Sequence, residues 1–269
     1  LEFRRVLFRS TLAASGVETI TGTDSADSLS LTTAQNGTTI NLGAGSDALT
    51  LADGSNTVTL SGVETVTGGT GSDAITLASA GSLTASGVET ILSSSGNDTV
   101  IADDINGGTI DLGAGTDTLT LGDTANDLTV VGVETVIGGT GTDAVTLGSA
   151  GAVSISGVET LTGSSGSDNV TLGGTVSGAT IALGAGTDTL SLTAGTNTLA
   201  ASGVESIAGS ASADNLILTN AQSGTTIDLG AGSDTLTLAN GGNTFTLSGV
   251  ETVAGGTGAD AVTLASAGA

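Results

Sequence analysis

Residues 11–269 repeat one short pattern along their whole length, and this repetition constrains the fold more than any other feature. One marker is Gly-Val-Glu, and its Glu residues are Glu18, Glu64, Glu89, Glu134, Glu159, Glu205 and Glu251. The second marker is an Asp followed by a short alternating apolar run, found at Asp27, Asp47, Asp73, Asp98, Asp117, Asp143, Asp168, Asp188, Asp214, Asp234 and Asp260. Successive marker Asp residues lie 19 to 26 residues apart. This spacing is typical of one turn of a parallel β-solenoid.

The residues between the markers alternate in the manner of β-strands. Ile75 and Leu77 fall on one face of the run 74–77, and the run 28–31 alternates in the same way. One coil buries almost no surface, but equivalent Ile, Leu and Val residues of successive coils would stack into apolar columns. The chain contains no Pro, as expected if every strand donates hydrogen bonds to a neighbour. We therefore predict an all-β fold, a parallel β-solenoid of about eleven coils of 19–26 residues.

The first ten residues do not belong to the pattern. Residues 1–10 match no coil, contain all three basic residues, and end in a stretch (Val6 to Ser10) that resembles the translated tail of a sequencing adapter. We interpret 1–10 as a non-native leader. Residues 11–269 are predicted to form a repeat domain that is incomplete at its C-terminal end.

The charge balance excludes several classes of function. The chain has 27 Asp and Glu against 3 Lys and Arg, and no basic residue follows Arg9. Such a chain cannot neutralise phosphates, so no nucleic-acid binding is expected. No apolar run is long enough to span a bilayer, so membrane insertion is not expected. Because His, Cys and Tyr are absent and no coil carries a unique polar cluster, we expect no enzyme, including a polysaccharide-acting β-helix.

The loop before most marker Asp residues has the chemistry of a cation site, whereas the loops of Asp27 and Asp214 have Ser in place of the central Gly. Glycine allows the chain to turn its carbonyl groups inward, and Ca²⁺ takes six to eight oxygen ligands from carbonyls and carboxylates. The run 68–76 fits the pattern G-G-x-G-x-D-x-U-x, as do 138–146 and 255–263. The predicted metal-binding residues are Asp47, Asp73, Asp98, Asp117, Asp143, Asp168, Asp188, Asp234, Asp260, Gly69, Gly71, Gly139, Gly141, Gly256 and Gly258.

These loops resemble the calcium-binding nonapeptides of the RTX, or hemolysin-type, family. The resemblance implies Ca²⁺ held between stacked loops of a β-roll. With one loop per coil we expect a single ion column, with Asp47 next to Asp73, Asp117 next to Asp143, and Asp234 next to Asp260. The alternative is a glycine-rich turn whose Asp serves the local backbone. For the Glu series, solvated charges at strand edges are the favoured interpretation, with a second cation ladder as the alternative.

The resemblance also implies a role. We expect a calcium-binding structural segment of a large secreted or cell-surface bacterial protein (an adhesin, S-layer protein or exoprotein stalk), extracellular in location, with folding coupled to Ca²⁺. Its partners are calcium ions, and binding to a surface polysaccharide or another cell-surface protein stays open. The alternative function is a calcium-dependent ice-binding solenoid. Thr70 and Thr140 correspond in the loop pattern to Ala44, Ala114, Ala185 and Ala231, which interrupts a threonine array and predicts weak or no ice shaping.

Overall fold

The computed structural model describes residues 9–12 and 16–265, and within them every regular element is a β-strand. The strands fall into two compact units, Leu1–Thr135 with Gly139–Gly141 and Val136–Gly138 with Thr142–Ala269, and β15 (Thr135–Ile137) lies at their division. The first unit contains β1 (Arg9–Leu12), β2 (Thr19–Thr23), β3 (Ser28–Leu31), β4 (Asn36–Gly43), β5 (Ala48–Thr50), β6 (Thr57–Ser61), β7 (Thr65–Thr67), β8 (Ala74–Leu77), β9 (Ser82–Ser86), β10 (Thr90–Leu92), β11 (Thr99–Asp103), β12 (Asn106–Asp111), β13 (Thr118–Leu121) and β14 (Asp127–Val131). The second contains β16 (Ala144–Leu147), β17 (Ala152–Ser156), β18 (Thr160–Thr162), β19 (Asn169–Leu172), β20 (Ser177–Ala182), β21 (Thr189–Ser191), β22 (Thr198–Ser202), β23 (Ser206–Ser210), β24 (Asn215–Leu218), β25 (Ser223–Gly230), β26 (Thr235–Thr237), β27 (Thr244–Ser248), β28 (Thr252–Ala254) and β29 (Ala261–Leu264).

Within each unit, consecutive strands alternate between two parallel sheets. Odd-numbered strands pair with odd-numbered neighbours and even-numbered strands with even-numbered ones, as in β3–β5–β7 and β4–β6–β8. One turn of the solenoid is therefore two strands. Turns differ in length, since the turn from Ala74 to its partner Thr90 is shorter than the turn from Thr39 to its partner Thr59. The predicted all-β parallel solenoid is confirmed.

The predicted number and length of the coils differ from those observed. The chain forms more turns, and shorter ones, than the eleven coils expected from the markers. The reason is that marker Asp residues precede strands of both sheets. Asp47 comes directly before β5 and Asp73 directly before β8, so the interval between them makes one and a half turns rather than one long coil.

Aliphatic columns between the two sheets form the core. In the first unit one column contains Ile20, Ile40, Leu60 and Leu77, each paired in register with the next and each buried. A column of the second unit contains Val170, Leu190, Ile207, Ile227 and Leu247. Such columns bury most of each side chain although the domain has almost no aromatic residues. At about 25 cal/mol per Å² of apolar surface removed from water, they are the main stabilising contribution.

The predicted leader overlaps the first strand. β1 begins at Arg9, and Arg9 and Ser10 pair with Ser28 and Leu29 of β3. Residues 1–8 lie outside the described residues.

Candidate metal site

Ten of the eleven marker Asp side chains are buried, and all of these stand directly before a strand. The exception is Asp260, which is half-buried. A buried carboxylate must be compensated by hydrogen bonds or positive charge, because desolvation penalises its ionised form. The contacts of these Asp residues therefore decide what the loops can do.

One carboxylate oxygen of most marker Asp residues accepts a hydrogen bond from the preceding turn. The backbone N–H of Asp27 donates to Asp47 Oδ1 with an N···O distance of 2.7 Å. The same contact joins Asp98 to Asp117 at 2.7 Å and Asp214 to Asp234 at 2.7 Å. The side chains thus form short ladders that join successive turns.

Asparagine and glutamine occupy further positions of these ladders. The backbone N–H and the Nδ2 of Asn56 both donate to Asp73 Oδ1, at 2.9 and 2.8 Å, and Asn197 makes the equivalent pair of contacts with Asp214. Asn56 Oδ1 in turn accepts the backbone N–H of Gln35 at 2.9 Å. These residues were not predicted, because the marker was defined by Asp alone. A constant spacing before a marker Asp could have identified the asparagines, which are Asn56, Asn126, Asn197 and Asn243.

The glutamates of Gly-Val-Glu are also part of the ladders. Asp47 donates its backbone N–H to Glu64 Oε2 at 2.7 Å, and Asp117 donates to Glu134 Oε2 at 2.8 Å. These carboxylates remain partly exposed, as solvated edge charges would be, but each also fixes the Asp of the turn before it. Equivalent bonds reach Glu89, Glu159, Glu205 and Glu251.

The second oxygen divides nine of the eleven marker Asp residues into two groups. In the first group it accepts a donor from its own loop. Gly69 N donates to Asp73 Oδ2 at 3.1 Å, and Ser164 N donates to Asp168 Oδ2 at 2.8 Å. Asp27, Asp98 and Asp214 accept similar donors from Thr23, Ser93 and Ser210.

In the second group the Oδ2 atom is buried without any hydrogen-bond partner. This group comprises Asp47, Asp117, Asp188 and Asp234. Burial raises the pKa of each of these four carboxyls; an accepted backbone N–H opposes the shift, and repulsion from the neighbouring Glu and Asp adds to it. They are the least satisfied polar groups described in the protein.

The expected pairing of neighbouring loops in a single ion column is wrong. Asp47 and Asp73 precede strands of different sheets, and so do Asp234 and Asp260. Asp117 precedes the odd strand β13, whereas Asp143 precedes the even strand β16. The stacked acids are instead Asp27 on Asp47, Asp98 on Asp117, Asp168 on Asp188, and Asp214 on Asp234.

The predicted loop glycines lie where turns approach each other closely. A Cβ on Gly69 would come within 2.7 Å of the carbonyl oxygen of Ala52, and one on Gly141 would collide with the carbonyl oxygen of Thr124. These positions require glycine for packing, irrespective of any ligand. A Cβ would meet the backbone of the preceding turn in the same way at Gly71, Gly139, Gly256 and Gly258.

The chain matches no family model, no curated protein and no solved structure. In the described ranges, no group of three or more His, Cys, Asp or Glu side chains is arranged to hold a metal ion. Those ranges also contain no helix that could cross a membrane.

Proposed function

We propose that this chain is a calcium-binding structural segment of a large secreted or cell-surface bacterial protein, a stalk or spacer whose folding is coupled to Ca²⁺. The observation that carries the proposal is the stacking of buried carboxylates on one another in a chain with no base after Arg9. In each unit, Asp residues of successive turns are in direct hydrogen-bond contact, and a Glu follows in the next turn.

The electrostatic cost of this stacking supports a need for cations. Two carboxylates about 5 Å apart repel by roughly 1 kcal/mol in water and about 3 kcal/mol at an effective dielectric constant near 20. Backbone N–H groups offset part of this repulsion. No Lys, Arg or His lies among residues 10–269, so the remaining charge must be balanced by bound cations or by protons.

The donor chemistry suits Ca²⁺ better than other divalent ions. Carboxylate and main-chain carbonyl oxygens are the ligands that hard cations prefer, and Ca²⁺ tolerates the irregular geometry of glycine-rich turns. Mg²⁺ demands near-ideal octahedral coordination and sheds its water reluctantly. The bacterial, extracellular and family aspects of the proposal rest on the loop resemblance to RTX repeats.

A calcium titration tests the proposal. Chelated chain is titrated with Ca²⁺ while circular dichroism reports β-structure and small-angle scattering reports the radius of gyration, with Mg²⁺ as the control ion. We expect a compact, β-rich chain at millimolar Ca²⁺, an expanded chain in chelator, and poor substitution by Mg²⁺. Identical spectra and radii with and without Ca²⁺ would show that the loops are turns only.

The outer faces of the sheets support a second candidate, an ice-binding surface. In the first unit, two outward columns of β3, β5, β7 and β9 carry Ser28, Ala48, Thr65 and Thr84 beside Ser30, Thr50, Thr67 and Ser86. No charged side chain interrupts this patch, and its rows repeat at the strand spacing of about 4.8 Å. The alternation of Thr70 with Ala44 does not interrupt this patch, because their loops precede strands of different sheets.

Thermal hysteresis measured with Ca²⁺ present tests this candidate. The variant Thr50→Lys with Thr67→Lys places two charges within the patch, and Thr70→Lys places one in a loop as the control. Activity that the first variant abolishes and the control retains would favour ice binding. No hysteresis in the parent chain would eliminate it.

A further inference from the structure

The four marker Asp residues with an unpartnered oxygen share one loop sequence. L-G-A-G-[ST]-D occurs at 42–47, 112–117, 183–188 and 229–234. The aspartates that end these loops are the four residues whose Oδ2 is buried and lacks a donor. The match between a loop sequence and a missing hydrogen bond indicates a local cause.

In the loops of Asp47, Asp117 and Asp234, the cause is the direction of one backbone N–H. In the satisfied loop of Asp73, the residue four positions earlier, Gly69, donates its N–H to the carboxylate. In the loop of Asp47 the equivalent residue is Gly43, whose φ of +102° is left-handed, and its N–H donates instead to Asn41 Oδ1. Gly113 and Gly230 likewise donate to Asp111 and Asp228, two residues before them.

Each unpartnered oxygen belongs to an Asp that lies between two other acids. Asp117 is bonded to the backbone of Asp98 through Oδ1, and its own N–H is bonded to Glu134. Asp117 is 0 % exposed. These four places therefore combine the greatest local negative charge with the fewest donors. The same arrangement recurs for Asp47, Asp188 and Asp234 with Glu64, Glu205 and Glu251.

We propose that the cations of this solenoid bind at the four L-G-A-G-[ST]-D loops, each held by the Asp carboxylate and by the Glu of the following turn that accepts its N–H, together with main-chain carbonyls. This inference rests on the proposed calcium-dependent function and names its sites. It assigns no ion to the complete G-G-x-G-x-D loop of Asp73, because that carboxylate already has donors for both oxygens. The expected stoichiometry is four ions per chain.

The burial of the four Oδ2 atoms predicts the stage of folding at which the ion binds. Each Oδ2 is shielded from solvent, so an ion cannot reach it through an open pocket in the folded chain. We expect the cation to be taken up as two turns come together, which makes binding and folding one event.

Equilibrium dialysis with radioactive calcium on the full chain tests the assignment. The quadruple variant Asp47→Asn, Asp117→Asn, Asp188→Asn and Asp234→Asn is compared with Asp27→Asn, Asp98→Asn, Asp168→Asn and Asp214→Asn, which removes the same charge from the stacked partners. We expect the parent chain to bind four ions, the first variant to lose nearly all of them, and the second to retain them with reduced affinity. Single variants Asp117→Asn and Glu134→Gln, each expected to lose one ion of four, keep the test decisive if the quadruple chain does not fold.

The outcomes separate this inference from the function on which it rests. Calcium bound equally by the parent and the first quadruple variant, and lost on Asp73→Asn or Asp143→Asn, would overturn the assignment and leave the calcium-dependent function intact. A parent chain that binds no calcium in dialysis and does not change in circular dichroism would overturn both.

Discussion

At the scale of single residues, the four carboxylates with an unpartnered oxygen should make the stability of the fold depend on pH. The pKa values of Asp47, Asp117, Asp188 and Asp234 are raised in the folded chain, first by burial. A group with a folded pKa above its unfolded value binds protons more strongly in the folded state. Its stabilising effect is present at low pH and is lost as pH rises through the folded pKa.

We therefore expect metal-free chain to become more stable on mild acidification. The β-sheet signal in circular dichroism, measured in chelator, should increase as pH falls from 7 towards the ordinary aspartate value of about 4, because protonation then replaces the missing cations. The chain carrying Asn at all four positions should show a flatter profile over that range. A β-sheet signal that falls steadily on acidification would contradict this expectation and would mean that satisfied carboxylates such as Asp53, whose pKa is lowered by hydrogen bonds from Thr70, dominate the response.

The glycine of Gly-Val-Glu gives a second prediction at this scale. Gly62 has a φ of +56°, and a Cβ there would collide with the Gly43 carbonyl oxygen. We expect Gly62→Ala to lower the free energy of unfolding by about 1 to 3 kcal/mol. Gly81→Ala is the control, since nothing lies within 4 Å of its Cβ position, and urea denaturation measures both. Equal effects of the two substitutions would contradict the strain argument.

At the scale of the turn, the buried asparagines hold the loop and the ladder together. Asn197 Nδ2 donates to the carbonyl oxygens of Thr193 and Gly195 and to Asp214 Oδ1, at 2.8 to 3.0 Å. Asn197→Asp removes these donors and adds a charge beside Asp214. We expect it to destabilise the chain more than Asn197→Ala, which should cost about 1 to 3 kcal/mol. Denaturant titrations in Ca²⁺ measure the difference, and an Asp variant as stable as the parent would contradict it.

The elements also show what could be predicted from the sequence. The run 28–31 is β3 and the run 74–77 is β8, because period-2 alternation reports a buried face directly. The turn length could not be predicted in the same way. The interval from Asp47 to Asp73 fits one long coil or one and a half short turns equally well, and only strand pairing distinguishes them.

The candidate site was predicted in part, for a similar reason. Marker spacing found the buried aspartates, but it gave less weight to Asp27 and Asp214, which had lost their loop glycines and nonetheless occupy ladder positions. The glutamates were interpreted as solvated charges at strand edges. Each in fact accepts the N–H of the Asp one full turn earlier, as Glu89 does from Asp73, and that relation exists only once the chain has wound through the turn.

At the scale of the whole molecule, the register predicts that complete turns can be removed. Ser28 pairs with Ala48, and Thr39 with Thr59, so deleting residues 28–47 removes one turn and preserves the pairing of both sheets. We expect this chain to keep its β-sheet spectrum with a modestly lower thermal midpoint. Deleting residues 28–37 removes half a turn and forces each following strand into the other sheet, and we expect loss of cooperative unfolding. Similar behaviour of both deletions would argue against nearest-neighbour stacking.

The ladders of buried side chains have a polarity along the chain. In each short ladder, a backbone N–H of one turn donates to a side-chain oxygen supplied by the next turn, as Asp27 does to Asp47 and Asp47 to Glu64. When the solenoid grows from its N-terminal side, the last folded turn therefore has a backbone N–H whose acceptor is not yet in place. When growth starts from the C-terminal side, the folded turn already presents the side-chain oxygen that accepts the N–H of the next turn to pack on it. Growth from the two ends of the solenoid is therefore not equivalent, because the turn on the C-terminal side of each pair supplies the acceptor oxygen.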